Sequence, residues 1–388
     1  PNFAAISYTQ QWGTTVGNVA VANLEPPFFI STDQLGHGRW SEAAIFGDVT
    51  IALSPQLDLS IGLRYAQDDH GDFASYLPAD AFRPVRPGTL PDGNPWAAAE
   101  TQFRANNTDL GSVTTPRISI GYRPREDVYL YASHAEGFSQ GAVVTSEFVP
   151  APIVLDPEIV ETREIGMRSD WLGGRVRFNA TYFDSNWDGL RVGKRIEDPD
   201  SPDGLSPFGV PTSDGVADAS GFEFELAYLP GERWELDFAL GLLDTEYIDI
   251  GDPPANGSGL QPGIPFQYAP EVSFSLSARY RWPLASGARL LIAGNYGWMD
   301  EYQRSSSAEF QNTNPDGSDQ SEPSYGLLNT RVVYSPADAD WQLSVFGTNL
   351  TDEWYVNGGL DTGLFWGYDF ATIGRPREVG VGFSVALN

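Results

Sequence analysis

Between Phe222 and Leu242 the sequence alternates with a period of two residues, the period of a strand and not of a helix. Phe222, Phe224, Leu226 and Tyr228 interleave with Glu223, Glu225 and Ala227. After Pro230 and Gly231, Trp234, Leu236, Phe238, Leu240 and Leu242 interleave with Glu235, Asp237, Ala239 and Gly241. The pattern predicts an antiparallel hairpin with one apolar face and one acidic face. A soluble sandwich also alternates, but Tyr228 and Trp234 beside the turn stand where a membrane barrel sets its interfacial aromatics.

The same alternation recurs along the chain. Leu57, Leu59, Ile61, Leu63 and Tyr65 share one parity, as do Val272, Phe274, Leu276, Ala278, Tyr280 and Trp282, and then Val379, Val381, Phe383, Val385 and Leu387. Read in order, strands are predicted near 2–12, 40–53, 57–65, 118–122, 128–138, 158–171, 175–194, 222–228, 234–242, 272–282, 290–302, 325–334, 341–355 and 379–387, about fourteen in all. Short and long connections take turns between them, which is the layout of an outer-membrane barrel with short periplasmic turns and long extracellular loops. Trp171, Tyr228, Trp234, Trp282, Tyr334 and Trp341 all flank short turns, so they form a candidate periplasmic girdle. The expected topology sets the 68–111 loop outside the cell, and the Pro230–Gly231 turn and both termini on the periplasmic side. The fold class predicted is all-β, a transmembrane antiparallel β-barrel.

Composition removes several alternatives. No run of eighteen apolar residues exists, so no helix is expected to span a bilayer, which says nothing against crossing with strands. With 0 cysteines, disulfide frameworks and thiolate metal sites are excluded. A formal net charge of −29 opposes binding of nucleic-acid phosphates, so nucleic acid is not an expected partner. Asn2 to Tyr8 already alternates like a strand, and the expectation is a chain that opens within a longer barrel.

Several stretches resemble the barrel portion of TonB-dependent receptors, the active importers of the Gram-negative outer membrane. These are Ala44-Ile-Phe-Gly-Asp-Val-Thr50 with Leu59-Ser-Ile-Gly-Leu-Arg-Tyr65, Leu130-Tyr-Ala-Ser-His-Ala-Glu-Gly-Phe138, and Pro157 to Arg168 with Glu161-Thr-Arg-Glu-Ile-Gly-Met167. Phe346-Gly-Thr-Asn-Leu-Thr-Asp352 and Gly374-Arg-Pro-Arg-Glu-Val-Gly380 complete the set, and their order spans most of the chain. The resemblance implies a barrel of twenty-two strands around an N-terminal plug. Residues 1–388 are then expected to be a partial barrel holding the last fourteen strands, with the plug and first strands absent. It further implies a bacterial outer-membrane location and no enzymatic activity. The implied partners are outer-membrane lipid, the missing plug and barrel segment, the TonB complex through that segment, and a small-molecule chelate, foremost a ferric siderophore. The alternative is a plug-less barrel of fourteen strands closed on itself, acting as a passive channel or structural barrel. Asn388 stands where such barrels usually end in an aromatic.

No catalytic, cofactor or metal site is predicted. Ser133 and His134 are adjacent and are similar in type to the Ser and His of outer-membrane lipases, but neighbours in a strand point to opposite faces. His37 and His70 fall in expected loops without a second histidine at ligand spacing. The Asp198 to Gly204 segment lacks the closing glutamate of a calcium loop. Acidic groups at Asp68, Asp69 and Asp72, at Asp198, Asp200 and Asp203, and at Asp316 and Asp319 read as solvated extracellular loops. Loop residues Trp96, Phe103, Arg104, Phe365, Trp366 and Tyr368 are the candidate ligand rim, set against the plainer reading that they pack loops together. Arg64, Arg279, Arg281 and Arg331 have lumenal parity; they are candidates to line a solute path, set against the favoured expectation that they pair with lumenal carboxylates or with a plug.

Overall fold

The computed structural model describes residues 3–5, 19–20, 29–30, 35–76, 101–144, 153–194, 210–250, 262–304, 321–360 and 370–386. Fourteen strands form one sheet: β1 (Phe3–Ala5), β2 (Leu35–Ser54), β3 (Leu57–Tyr76), β4 (Thr101–Arg125), β5 (Val128–Ser139), β6 (Glu158–Trp171) and β7 (Val176–Lys194), then β8 (Val210–Tyr228), β9 (Trp234–Asp249), β10 (Val272–Pro283), β11 (Arg289–Met299), β12 (Tyr325–Ser335), β13 (Trp341–Thr348) and β14 (Glu378–Val385). Every strand pairs antiparallel with its neighbours in sequence, so the sheet is a pure meander. Among the described residues β1 pairs only with β2 and β14 only with β13, so the barrel wall is open here.

The register sorts side chains onto two faces. On one, Ile120 lies opposite Leu59 and Ala132, then Ile165, Tyr182, Phe222, Leu242 and Val272 follow across the sheet. Rows nearer the short turns continue through Leu276, Ile292, Val332, Val345 and Val381. Most of these residues are solvent-exposed in the isolated chain, Leu276 at 49% and Val381 at 70%, and the rest are partly exposed, so the face is apolar without a protein partner. Hydrocarbon supplies that partner in a membrane barrel.

The interfacial aromatics give the tilt. Following the register from Tyr122 through Leu130, Met167, Ala180, Phe224, Leu240, Phe274 and Trp298 arrives at Gly326, whose carbonyl accepts from the Thr351 hydroxyl just past the end of β13, ten residues from Trp341. Tyr122 and Trp341 both flank short turns, so the girdle falls ten residues in nine strand-to-strand steps. At ~3.3 Å per residue and ~4.8 Å between strands this is a tilt of roughly 37°, within the range of transmembrane barrels. Trp341 packs on Tyr334 and Phe383, and Trp234 on Tyr280, so the girdle is also a chain of ring contacts.

Short turns use few residues and special geometry. Leu172, Gly173 and Gly174 all take positive φ, at 55°, 66° and 83°, which closes the β6–β7 hairpin and explains the paired glycines. In the long connections, further ribbons form: Ala142–Val144 with Ile153–Leu155, Tyr302–Gln303 with Ser321–Glu322, and Val356–Leu360 with Phe370–Ile373.

The strand count and the hairpin agree with the sequence reading, while several boundaries move. β3 runs on to Tyr76 and β4 begins at Thr101, so Asp68, Asp69, Asp72 and His70 lie in β3 and His37 in β2, not in loops. Backbone pairing continues above the apolar band, where residues of any polarity are tolerated and the period no longer shows. β11 ends at Met299 and β13 at Thr348, earlier than expected. Asn349 turns the chain after β13 with φ 47°.

Several inward glycines are covered by a cross-strand aromatic. Tyr131, opposite Gly166, lies so close that a Cβ there would be 2.5 Å from its ring, and Phe346 covers Gly380 in the same way. Aromatic cover of a strand glycine restores packing that the missing side chain forfeits. Gly166→Val must displace Tyr131 and is expected to cost about 1–3 kcal/mol. Gly231→Ser, where a Cβ meets nothing within 4 Å, should leave stability unchanged. Urea unfolding of the lipid-reconstituted protein, followed by tryptophan fluorescence, separates the two.

Candidate functional site

The face opposite the apolar one is polar. On it Arg123 pairs with Asp58 and lies 4.3 Å from the Tyr129 ring centroid, Arg168 lies 5.4 Å from that of Tyr131, and Tyr131 Oη is 3.1 Å from Thr181 Oγ1. Arg177 donates to Asp170 at 2.9 Å, and Asn179 to Glu225 at 3.0 Å. Further round, Arg279 and Arg281 both donate to Glu235, at 2.8 and 3.0 Å, and Arg331 donates to Ser344 at 3.2 Å. The parity that sends Leu and Phe to lipid sends these groups to the lumen.

A cavity of about 610 Å³ lies on this wall at the short-turn end of β4 to β8. Its carboxylates are Glu126, Asp127, Glu164, Asp170, Glu223 and Glu225, against three guanidinium groups, Arg123, Arg168 and Arg177. Six acids against three bases leave an excess of three negative charges. Among the described residues Glu164 and Glu223 make no ion pair.

The other end of the lumenal face is aromatic. Trp187 and Tyr247 flank fully buried Ala217, and Phe266 packs on both rings, with centroids 5.9 and 4.9 Å away. Tyr325 stacks on Tyr355 at 4.7 Å, and Tyr302 joins them in a buried cluster. Asn349, 4% exposed, holds the adjoining turn: its side chain donates to the carbonyls of Glu353 and Arg375 and accepts from the Glu353 N–H. That is the physical role of Asn349 within the Phe346 to Asp352 stretch.

Of the sequence-predicted residues, Arg279 and Arg281 pair with a lumenal carboxylate as expected. Arg331 lies 6.0 Å from the Phe346 ring centroid beside Ser344, and Arg64 lies 5.9 Å from that of Phe46. Ser133 faces Glu164 across the ladder while His134 faces Arg163, so the two occupy opposite faces and form no catalytic pair. His134 lies 3.5 Å from Glu161. Phe103 and Arg104 belong to β4, opposite Ser75 and Ala74, not to a loop. Trp96, Phe365, Trp366 and Tyr368, with the acidic groups at Asp198, Asp200, Asp203, Asp316 and Asp319, lie outside the described residues. Among the described residues no group of three metal-ligating side chains assembles. Trp187, Tyr247 and Tyr325 were missed as site residues. The available signal was an aromatic on lumenal parity near a long connection.

A tilted meander with an apolar exterior, an aromatic girdle and a charged interior is an outer-membrane β-barrel wall. The chain matches the model of the TonB dependent receptor-like, beta-barrel family over residues 3–350 and belongs to that family. It is a protein of the bacterial outer membrane, in a family of receptors and transporters. Among solved structures it is similar to the ferric yersiniabactin uptake receptor FyuA from Yersinia pestis, with 17% identity, a TM-score of 0.68, and coverage of 91% of this chain and 46% of that one. The siderophore receptor PiuA from Acinetobacter baumannii matches at 18% identity and TM-score 0.61, over 92% and 43%. BauA, the ferric preacinetobactin receptor of the same organism, matches at 18% and 0.60, over 92% and 44%. The chain spans less than half the length of these structures.

Burial raises the Tyr302 phenol well above the ordinary tyrosine value, and nearby Tyr325 and the Glu322 carboxylate push it further in the same direction. The folded protein therefore holds Tyr302 neutral where the unfolded chain ionises. Its contribution to stability is complete below about pH 10 and is lost as pH rises beyond it. Spectrophotometric titration should show a late-ionising phenol that disappears in Tyr302→Phe. The melting temperature of the parent should fall above about pH 10 more steeply than that of the variant.

Proposed function

We propose that this chain is the barrel wall of an importer that takes up a ferric siderophore with energy delivered through TonB. The observation that carries the reading is the two-ended lumenal face: aromatic at the long-connection end, and acidic by three charges at the short-turn end. In this reading the long connections are extracellular. Trp187, Tyr247 and Phe266, together with the rim residues Trp96, Phe103, Arg104, Phe365, Trp366 and Tyr368, form the capture surface, because rigid aromatics give contact area at small entropic cost. The acidic end, with Glu164 and Glu223 lacking ion-pair partners among the described residues, complements a basic surface on a plug seated in the lumen. Through that plug the barrel would answer to TonB. Residues 1–388 act as a single barrel unit in this scheme.

The similarity to receptors for ferric yersiniabactin and ferric preacinetobactin supports iron chelates as the solute class. Growth of a strain lacking the full-length gene, on a panel of ferric siderophores as sole iron source, is the test. Loss of growth on one chelate, restored by the gene, is expected. Undiminished growth on every chelate, with cobalamin or glycan uptake lost in its place, would move the protein to another substrate class.

A further inference from the structure

Two long connections meet at one buried carboxylate, that of Glu322, which is 3% exposed, and a third joins them through the ribbon that carries it. Glu322 ends the short ribbon between β11 and β12, and its Oε1 accepts the backbone N–H of Val356, in the β13–β14 connection, at 2.8 Å. Tyr302, from the other strand of the Glu322 ribbon, donates its hydroxyl to the Val356 carbonyl at 3.3 Å. Both backbone polar groups of Val356, itself 2% exposed, are thus satisfied by side chains of the neighbouring connection. The third connection, between β9 and β10, joins through Tyr268. Its N–H donates to the Gln303 carbonyl at 2.8 Å, and its ring lies 5.8 Å from that of Tyr302.

We propose that Glu322 is a latch that couples the described parts of these three connections, around Tyr268, Gln303 and Val356, into one cooperative unit. A buried carboxylate is costly unless paired, and Glu322 meets that cost with the Val356 N–H and with Arg304, whose Nε is 3.9 Å from Oε2. Removing it leaves the Val356 N–H unsatisfied in a buried site, so Val356 must separate from the ribbon or expose itself to water. Separation frees Tyr302 from its acceptor, and Tyr302 is the ring on which Tyr268 rests. On the far side Gly374 donates to the Tyr355 carbonyl at 2.8 Å, and a Cβ on Gly374 would collide with the Tyr355 ring. Tyr355 in turn stacks on Tyr325, which ties this part of the β13–β14 connection to the start of β12. Simple packing of three independent loops would require none of these side-chain captures of backbone groups.

Hydrogen exchange by mass spectrometry on the full chain reconstituted in lipid tests the coupling. Glu322→Ala should raise exchange by about tenfold together in the segments containing Tyr268, Gln303 and Val356, as expected for loss of a buried hydrogen bond. The β10 core from Ser273 to Arg281 should not change. Glu322→Gln, which keeps a carbonyl acceptor for the Val356 N–H, should stay near the parent protein. Tyr302→Phe, which deletes one hydrogen bond and no charge, should give a smaller rise spread over the same three segments, and it carries the test if Glu322→Ala does not fold. A rise confined to the ribbon that carries the substitution, in either variant, would overturn the latch, as would no rise at all.

Discussion

Backbone N–H and C=O groups have no water to bind in hydrocarbon, so a chain crossing it with strands must pair every one of them with another strand. The rest of this structure follows from that requirement. A meander is its simplest solution, because each strand finds its partner next in sequence, and β2 through β14 do so without a crossover. Once the ladders are formed, the two-residue period assigns each side chain to lipid or to lumen with no further freedom. A register slip of one residue on β10 would send Ser273, Ser275 and Ser277 into lipid and Phe274 and Leu276 into the lumen. The tilt of roughly 37° is the stagger that lets such ladders curve into a wall.

Because the exterior is committed to lipid, the chemistry is confined to the interior. There, charged groups neutralise one another along the wall: Asp58 with Arg123, Asp170 with Arg177, Glu235 with Arg279 and Arg281. These pairs are substantially exposed, and each contributes on the order of 1 kcal/mol or less. They keep the lumen polar, while Glu164 and Glu223 make no ion pair among the described residues. At the opposite end, backbone that leaves the sheet must be satisfied by other means. Asn349 and Glu322 do this with side chains, which is why these polar residues are buried.

Much of this was legible in the sequence, and the reason is again the period. Phe222 to Tyr228 and Val272 to Trp282 could only be strands with one greasy face, and the tryptophans beside Pro230–Gly231 and Pro283 marked the interface. What escaped was set by tertiary contact. The polar ends of β3 and β4, with His70, Phe103 and Arg104, carry no apolar alternation, and only their pairing with each other makes them strands. Trp187 and Tyr247 stood on lumenal parity but seemed ordinary until Phe266 was placed over them. Nothing around Glu322 in the sequence announces a buried carboxylate, since its partner Val356 lies 34 residues on.

The division of β10 into a lipid face and a water face is the most direct consequence of all this, and the chain has 0 native cysteines to interfere. Single substitutions Phe274→Cys, Ser275→Cys, Leu276→Cys, Ser277→Cys and Ala278→Cys, each carrying a polarity-sensitive fluorophore in the bilayer-inserted protein, read the environment residue by residue. Emission should alternate, apolar at 274, 276 and 278 and aqueous at 275 and 277. A uniform profile, or one with the phases exchanged, would contradict a transmembrane barrel wall.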